Sequence, residues 1–180
     1  MGYAAVAVAI LALVFATASF WWLNAREGSI TATRPRAYAF GRAGALLRLR
    51  FPFALFNTGA KALIVEDMRL VLDGESERPH LRWLTTRDRL RPEPDDGFAY
   101  ATPFAIAGRS TREVIAEFEP GAKVDWPPPL GIEHRLRLQA QIHPREEWVD
   151  LVAFGWWAPP DDKHGNYIAH RNEPDASPSP

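Results

Sequence analysis

The first two dozen residues constrain this chain more than any other part of it. Residues 2–23 read GYAAVAVAILALVFATASFWWL and contain no charged side chain. A helix rises about 1.5 Å per residue, so a helix of this length spans the ~30 Å hydrocarbon layer of a bilayer. Trp21 and Trp22 stand at its end, where indole rings favour the headgroup layer. The segment predicts a single transmembrane helix, with residues 1–25 as the membrane anchor.

A cleaved signal peptide is the alternative to a permanent anchor. Residues 16–18, Ala-Thr-Ala, fit the small-x-small pattern at which signal peptides are cleaved. The residues before the apolar run carry no basic side chain, although signal peptides usually begin with a basic region. Cleavage would also leave the apolar sequence Ser-Phe-Trp-Trp-Leu at the new terminus. These two features favour an uncleaved anchor.

Basic residues follow the apolar segment closely. Residues 26–50 hold six arginines and one glutamate, whereas residues 51–180 hold 15 basic and 21 acidic side chains. Lys and Arg next to a span stay on the cytoplasmic side, so the count predicts a single-pass cell-membrane protein with its folded domain in the cytoplasm. Arg26, Arg34 and Arg36 are then expected at the anionic headgroups of the lipid bilayer, each contributing on the order of 1 kcal/mol. The net charge of -1 does not favour nucleic acid as a partner.

Apolar and polar residues alternate through most of the remaining chain. The two clearest strands each place alternate apolar residues on one face: Leu47, Leu49, Phe51, Phe53 and Leu55 in the first, and Leu136, Leu138, Ala140 and Ile142 in the second. Further strands are predicted over residues 30–40, 62–72, 81–86, 99–106, 112–119 and 148–157. Short strands between turns predict an all-β fold, which we expect to be an immunoglobulin-like antiparallel two-sheet sandwich over residues 26–158.

Three residues of this region carry a more local expectation. Pro52 lies in the middle of a predicted strand, and its missing N–H places it at a sheet edge or a bulge. Arg48 and Arg50 alternate with the leucines and phenylalanines, so we interpret them as the solvated face of that strand. The Pro-Asp-Asp-Gly sequence at residues 94–97 is interpreted as a turn.

Two glycine turns and the strands beside them form a recognisable pattern. Phe56-Asn57-Thr58-Gly59-Ala60 precedes the strand Leu63-Ile64-Val65, and Ala107-Gly108-Arg109-Ser110 precedes Val114-Ile115-Ala116-Glu117-Phe118. The pattern resembles the CARDB-type group of bacterial immunoglobulin-like sandwiches over about residues 45–119. In that group an N-x-G turn links two early strands and a Pro-Gly-x-Ser turn links two later ones, whereas Ala107 stands here in place of the proline. The resemblance implies the fold and an adhesive or accessory role, without catalytic residues to carry over.

The end of the chain differs in composition from the body. Residues 159–180 are rich in Pro, Asp, Ser and Asn and contain few large apolar side chains. Such a segment buries too little surface to offset the conformational entropy lost on ordering. We therefore predict a disordered tail over residues 159–180.

No residue pattern for catalysis, a cofactor or a metal stands out. The chain has no cysteine, which excludes disulfides, cysteine-zinc sites and thiol catalysis. The five histidines lack the H-x-x-x-H and H-E-x-x-H spacings of helical metal sites. No Gly-x-Ser-x-Gly elbow, phosphate-binding glycine loop or dinucleotide fingerprint is present. We expect no enzymatic activity, no cofactor and no metal site.

The tryptophans beyond the anchor are the candidate binding residues. Trp126 precedes three prolines, and Trp156 and Trp157 are adjacent in a strand, so at least one of that pair should approach the surface. Exposed aromatic rings dock partner proteins or sugars, and Trp126, Trp156 and Trp157 are therefore candidate partner-binding residues. The alternative is that these rings close the ends of the domain or lie against lipid.

The function that follows is a membrane-anchored, non-catalytic interaction or structural module with a protein partner. A carbohydrate-binding or accessory domain at the cell surface is the alternative, and it requires coplanar exposed rings on one sheet face. A hydrolase with an unrecognised site is a further alternative, and it requires a cleft where carboxylates or histidines from several strands converge.

Overall fold

The amino-terminal apolar segment forms a helix that stands apart from the body. We describe the chain from a computed structural model, which defines residues 2–43, 46–73, 80–91, 93, 95–121, 131–158 and 168–172. Helix α1 covers Gly2–Phe20 and continues as a π-helical segment over Trp21–Ala25. None of the side chains in α1 is buried, and the mean hydropathy of the span is 2.2. A helix long and apolar enough to cross a membrane is thus present, as predicted.

The body is built from β-strands, as the alternating sequence predicts. The described residues form β1 Ile30–Ala32, β2 Ala37–Ala43, β3 Leu46–Asn57, β4 Leu63–Leu72, β5 His80–Arg87, β6 Phe98–Tyr100, β7 Phe104–Ile106, β8 Thr111–Pro120, β9 Glu133–Ile142, β10 Trp148–Trp157 and β11 Ile168–Arg171. Two of the predicted strands are each divided. Residues 33–36, which include Pro35, separate β1 from β2, and residues 101–103 separate β6 from β7.

All strands belong to one antiparallel sheet, which curls into a half-barrel. The order is β10-β9-β4-β5-β8-β3-β2-β11, and β1, β6 and β7 pair with β3, β5 and β4 respectively. The structure is therefore not clearly the expected immunoglobulin-like sandwich, because β4 pairs with β5 and β9 alike and no break divides the sheet in two. Register shifts in β4, β5 and β10 mark bulges, which increase twist and allow a sheet to curl.

The core lies on the concave side of the sheet. The alternation predicted in β3 and β9 is confirmed, since Leu49, Phe51, Phe53 and Leu55 and Leu136, Leu138, Ala140 and Ile142 are all buried. Ring contacts join β3 to β10 across the interior, where the Phe51 and Phe53 centroids lie 5.2 and 5.9 Å from that of Phe154. Pro52 lies between the stretch of β3 that pairs with β2 and the stretch that pairs with β1, so its missing N–H falls at a gap on that side.

The two ends of the half-barrel meet at a seam between β10 and residues 35–38. Tyr38 donates a hydrogen bond from its hydroxyl to the Trp157 carbonyl. The Asn172 amide donates to the carbonyls of Pro35 and Gly155 at 3.1 and 2.7 Å, and its oxygen accepts from the Trp157 N–H at 3.1 Å. One side chain therefore links both ends of the sheet.

The structure differs from the predicted disorder in part of the carboxyl-terminal segment. Residues 168–171 form β11, which pairs with β2 from Ala37 to Phe40, and Asn172 belongs to the seam. Tyr38 stacks on His170 with ring centroids 5.2 Å apart. The composition rule fails here because backbone pairing to an open strand edge requires little apolar surface. The other residues of the predicted tail lie outside the described residues.

Candidate functional site

The end of the body next to α1 is formed by the two glycine turns. Asn57 N–H donates to the Ser110 carbonyl at 3.0 Å, and Arg109 N–H donates to the Gly59 carbonyl at 2.8 Å. The Asn57 side chain is buried and donates to the carbonyls of Lys61 and Ile106 at 2.9 and 3.1 Å. The turns therefore form one hydrogen-bonded unit at the ends of β3 and β7.

The linker that leaves α1, residues 26–29, is hydrogen-bonded to this unit at both of its ends. Ala60 N–H donates to the Arg26 carbonyl at 2.9 Å, and Thr58 N–H donates to the Ser29 carbonyl at 3.0 Å. Gly28 and Gly59 approach so closely that a Cβ on either would overlap the backbone of the other. Glycine at both positions is required by this contact. The linker consequently fixes where the body lies relative to the end of the helix.

Three of the residues predicted at a membrane interface, Trp21, Trp22 and Arg26, lie at the end of the helix. Trp21 and Trp22 are 55% and 53% exposed at the end of the helix, and the Arg26 guanidinium lies 4.3 Å from the centroid of the Trp22 ring. Arg109, which the sequence analysis did not select, donates to the Trp22 carbonyl. Tertiary contact brings Arg109 to the helix from 87 residues away, and no local pattern signals it.

Arg34 and Arg36 lie in the segment between β1 and β2. Ile30 pairs with Asn57 at the helix end of β3, while Thr33 bonds to Ala54, three residues up the strand. Three residues of a strand span about 10 Å, which exceeds the ~8 Å Debye length at physiological ionic strength. Arg34 and Arg36 follow Thr33 at this distance along the chain, and their contact with headgroups stays a prediction.

The three tryptophans selected as partner-binding residues have different surroundings. Trp156 is fully buried, with its ring 6.0 Å from those of both Tyr38 and Phe40. It is therefore a core residue at the seam and is not available to a partner. Trp157 is half-buried, and its backbone makes the seam hydrogen bonds. Trp126 lies outside the described residues.

The convex face of the sheet, here called the outer face, carries a charged cluster on β3, β5 and β8. Arg50 Nε donates to Glu117 Oε2 at 2.6 Å, and Arg87 Nη2 donates to Glu117 Oε1 at 3.1 Å. The Thr85 hydroxyl lies 3.4 Å from Glu117 Oε1. Burial raises the pKa of Glu117, but the hydrogen bonds and charges of Arg50 and Arg87 outweigh it and bring the pKa below its usual range. The surroundings of Glu117 thus favour its ionised form.

The loop after β5 buries this cluster. Arg50 Nη1 donates to Asp96 Oδ2 at 2.6 Å and to the Arg89 carbonyl at 3.3 Å, and Asp96 Oδ1 accepts from Arg89 N–H at 3.2 Å. Arg50 is only 3% exposed as a result. The interpretation of Arg50 as a solvated residue is wrong, because a loop distant in sequence covers the strand face that alternation assigns to solvent.

A bulge in β5 decides which side chains face Glu117. Trp83 pairs with Phe118 and Thr85 pairs with Glu117, so Leu84 is the extra residue. Without the bulge, Leu84 would oppose the carboxylate and Thr85 would point into the core. Strict alternation along β5 in the sequence therefore cannot identify the partners of Glu117.

A shallow groove lies beside this cluster, where β4 and β5 separate. The two strands pair directly only from Arg69 to Val71 and from His80 to Arg82. The groove has a volume of about 310 Å³, and its lining includes Arg69, Arg82, His80, Asp67, Glu119 and Trp148. Such a volume is at the lower limit of small-molecule pockets, which begin at roughly 300 Å³.

Two kinds of site can be checked directly among the described residues: a metal site and a sugar platform. Within the described ranges, no three His, Asp or Glu side chains are placed to hold a metal ion. The two exposed rings on β6, Phe98 and Tyr100, meet edge to face at 89°, and a sugar platform requires coplanar rings. The outer face instead presents carboxylates and guanidinium groups that mostly bond to one another.

Comparisons with known proteins give no family for this chain. No protein-family model matches the sequence, and no curated protein matches it. Among solved structures, the chain is similar to a protein from Archaeoglobus fulgidus, with 7% sequence identity and a TM-score of 0.32. The alignment covers 81% of this chain and 96% of that protein. A similarity of this size assigns neither a family nor an activity.

Proposed function

We propose that this chain is a membrane-anchored, non-catalytic module that binds a protein partner. The observation that supports the proposal most is the attachment of the body to the exposed helix α1. The helix buries none of its apolar side chains, and its linker is hydrogen-bonded to the turn at residues 57–60 of the body. A long apolar helix is stable in lipid, where all its backbone groups are paired, and is costly to leave in water.

The outer face supports a binding role more than a catalytic one. Glu117, the most buried carboxylate of the cluster, is held ionised by Arg50 and Arg87, so it is poorly suited to exchange protons near neutral pH. The groove beside it is open and charged, as polar protein interfaces are.

Membrane attachment is tested with two arginines in the middle of α1. We expect the full chain to stay in the membrane fraction after alkaline carbonate extraction, and the Leu11→Arg/Val14→Arg variant to be extracted. Each arginine at the centre of a span costs about 2.5–3.5 kcal/mol on insertion scales. The matched control is Tyr3→Arg, which lies at the end of the helix and should leave attachment unchanged. Extraction of the unaltered chain would contradict the anchor.

The side of the membrane is tested with two carboxyl-terminal reporters. The arginines after α1 favour a cytoplasmic body. A green fluorescent protein fusion is then expected to fluoresce, and an alkaline phosphatase fusion is expected to be inactive. Activity of the phosphatase fusion would contradict a cytoplasmic body and would favour the cell-surface alternative.

Partner binding is tested by cross-linking in cells. The full chain would carry a photoreactive amino acid at one exposed body position at a time, including Arg82, Lys61, Tyr100 and Arg145. A discrete protein adduct from one face of the body is the expected result. Adducts from none of these positions would refute an interaction module.

The immunoglobulin-like assignment and the resemblance to CARDB-type domains also stay proposals. Their support is that the two turns that carry the resemblance, residues 57–59 and 107–110, are hydrogen-bonded to each other at one end of the body. An experimental structure in which β5 and β8 separate from β4 into a second sheet would favour the sandwich. A continuous sheet from β10 to β2 would reject it.

A further inference from the structure

The groove between β4 and β5 has two arginines directly opposite each other. Arg69 on β4 and Arg82 on β5 are partners in the strand register. Like charges in such a pair destabilise a sheet unless an anion lies between them or close by. These two residues belong to a row of paired residues that crosses the sheet from strand to strand. In the same row, Arg82 pairs with Glu119 on β8, and Gln139 on β9 pairs with Asp150 on β10. The arginine pair is therefore the position in this row where positive charge is concentrated.

Arg69 lines the groove and is held by two side-chain contacts. Its guanidinium lies 4.1 Å from the centroid of the Trp148 ring, and its Nε donates to Gln139 Oε1 at 2.8 Å. Among the described residues, no hydrogen bond uses its two terminal nitrogens. A guanidinium fixed in this way loses little side-chain entropy when it binds a further acceptor.

Arg82 supplies a second, more accessible guanidinium. Its side chain is 62% exposed and its Nη2 lies 3.3 Å from Glu119 Oε1. Glu119 also accepts from Arg48 Nη2 at 3.2 Å, so this carboxylate is shared between two arginines. Arg82 consequently keeps donors that face solvent at the mouth of the groove.

Two carboxylates near Arg69, Asp67 and Asp150, act on its charge and also accept hydrogen bonds from other donors. Asp67 accepts from the Met68 N–H at 2.7 Å. Asp150 accepts from Gln139 at 2.6 Å and from Arg137 at 3.2 Å. Burial and the charges of Arg69 and Arg82 lower the pKa of His80, which lines the same groove. Burial is the larger cause of this shift, and the charges of the two arginines add to it.

We propose that this groove binds an acidic peptide segment of the partner protein, with a carboxylate placed between Arg69 and Arg82. The inference rests on the proposed interaction function and specifies the chemistry of the partner. Guanidinium forks match carboxylates in two-point hydrogen bonds. Trp148 and Leu84 provide apolar walls for the methylene groups of a glutamate. A peptide suits the site because a shallow groove covers only one side of a ligand, and neighbouring residues add contacts outside it.

The test uses the full chain in detergent micelles and a fluorescein-labelled, capped hexaglutamate peptide. Anisotropy should report saturable binding that weakens with salt, and hexaglutamine should bind at least about fivefold more weakly, the ratio that corresponds to about 1 kcal/mol. Arg82→Gln should reduce affinity for hexaglutamate by a similar factor, because it removes one of the two guanidinium groups. The variant should still fold, because the Arg82 side chain is exposed. Arg135→Gln is the matched control, since Arg135 is 73% exposed on the neighbouring strand β9 but outside the groove lining.

A second measurement separates binding from a structural effect. A carboxylate beside Arg69 and Arg82 partly neutralises them, so the pKa of His80 should rise when hexaglutamate binds. NMR titration of His80 with and without the peptide measures this change.

Equal binding of both peptides, or an Arg135→Gln effect as large as that of Arg82→Gln, would overturn the groove proposal. A His80 pKa that rises with inorganic phosphate but not with the peptide would overturn the peptide occupant. Cross-links to a partner from other faces, without peptide binding here, would refute the groove while leaving the interaction function standing.

Discussion

Replacing Glu117 with alanine is expected to lower the free energy of unfolding by about 3–5 kcal/mol, the loss typical when one member of a buried ion pair is removed. Glu117 is fully buried and accepts from Arg50 at 2.6 Å and from Arg87 at 3.1 Å. Its removal leaves both guanidinium groups without their shared carboxylate in a place from which water is largely excluded. Urea unfolding of the full chain in micelles measures the effect.

Glu113→Ala is the control for this substitution. Glu113 lies on the same strand and is exposed, so its loss should change the free energy of unfolding by about 0.5 kcal/mol or less. Equal losses for the two variants would contradict a stabilising role for the cluster.

The same carboxylate predicts a dependence of stability on acid. The pKa of Glu117 is lowered in the folded state, chiefly because the bonds and charges of Arg50 and Arg87 outweigh burial. A lowered pKa contributes stability that is fully present above the unfolded-state value of about 4.3. It is lost as the pH falls through the lower folded-state value. Glu117→Gln should abolish this part of the acid sensitivity, and an unchanged pH profile in that variant would contradict it.

Replacing Trp156 with alanine is the second substitution with a large expected effect. We expect a loss of about 3–5 kcal/mol, which is typical of Trp→Ala in a core. Trp156 is fully buried and packs against Tyr38 and Phe40, so it joins β10 to β2 across the seam. The cavity would weaken the contact that holds the two ends of the half-barrel together.

The neighbouring residue provides the control for Trp156. Trp157 is half-buried and contributes to the seam through its backbone N–H and carbonyl, which alanine retains. Trp157→Ala should therefore cost clearly less than Trp156→Ala in the same unfolding experiment. The opposite order would mean that Trp157 is the packed ring and would restore Trp156 as a candidate docking residue.

Residues with purely local roles were predictable from the sequence. The uncharged run at residues 2–23 predicts α1, and apolar alternation predicts the buried faces of β3 and β9. Both depend on periodicity, which reflects how a helix or a strand presents side chains to its surroundings. The break in pairing beside Pro52 was predictable from the residue type, because proline has no N–H to donate to a neighbouring strand.

The candidate site depends on contacts that periodicity does not encode. Arg50 is covered by Arg89 and Asp96, which follow β5, and Thr85 reaches Glu117 only because Leu84 is the extra residue of a bulge. The pairing of Arg69 with Arg82 joins strands whose order in the sheet cannot be read from either segment alone. Each of these contacts brings together side chains more than ten residues apart in the sequence.

The sequence by itself determined an apolar helix at the start, a β-rich body and the alternating apolar face of its clearest strands, because these follow from the order of side chains along one segment. Only the tertiary structure decided that the strands form a continuous curled sheet, that Trp156 closes its seam and that the charges of the outer face are shared or buried. The physical reason is that strand order, bulge position and loop packing depend on the total free energy of all segments together, which no single segment carries.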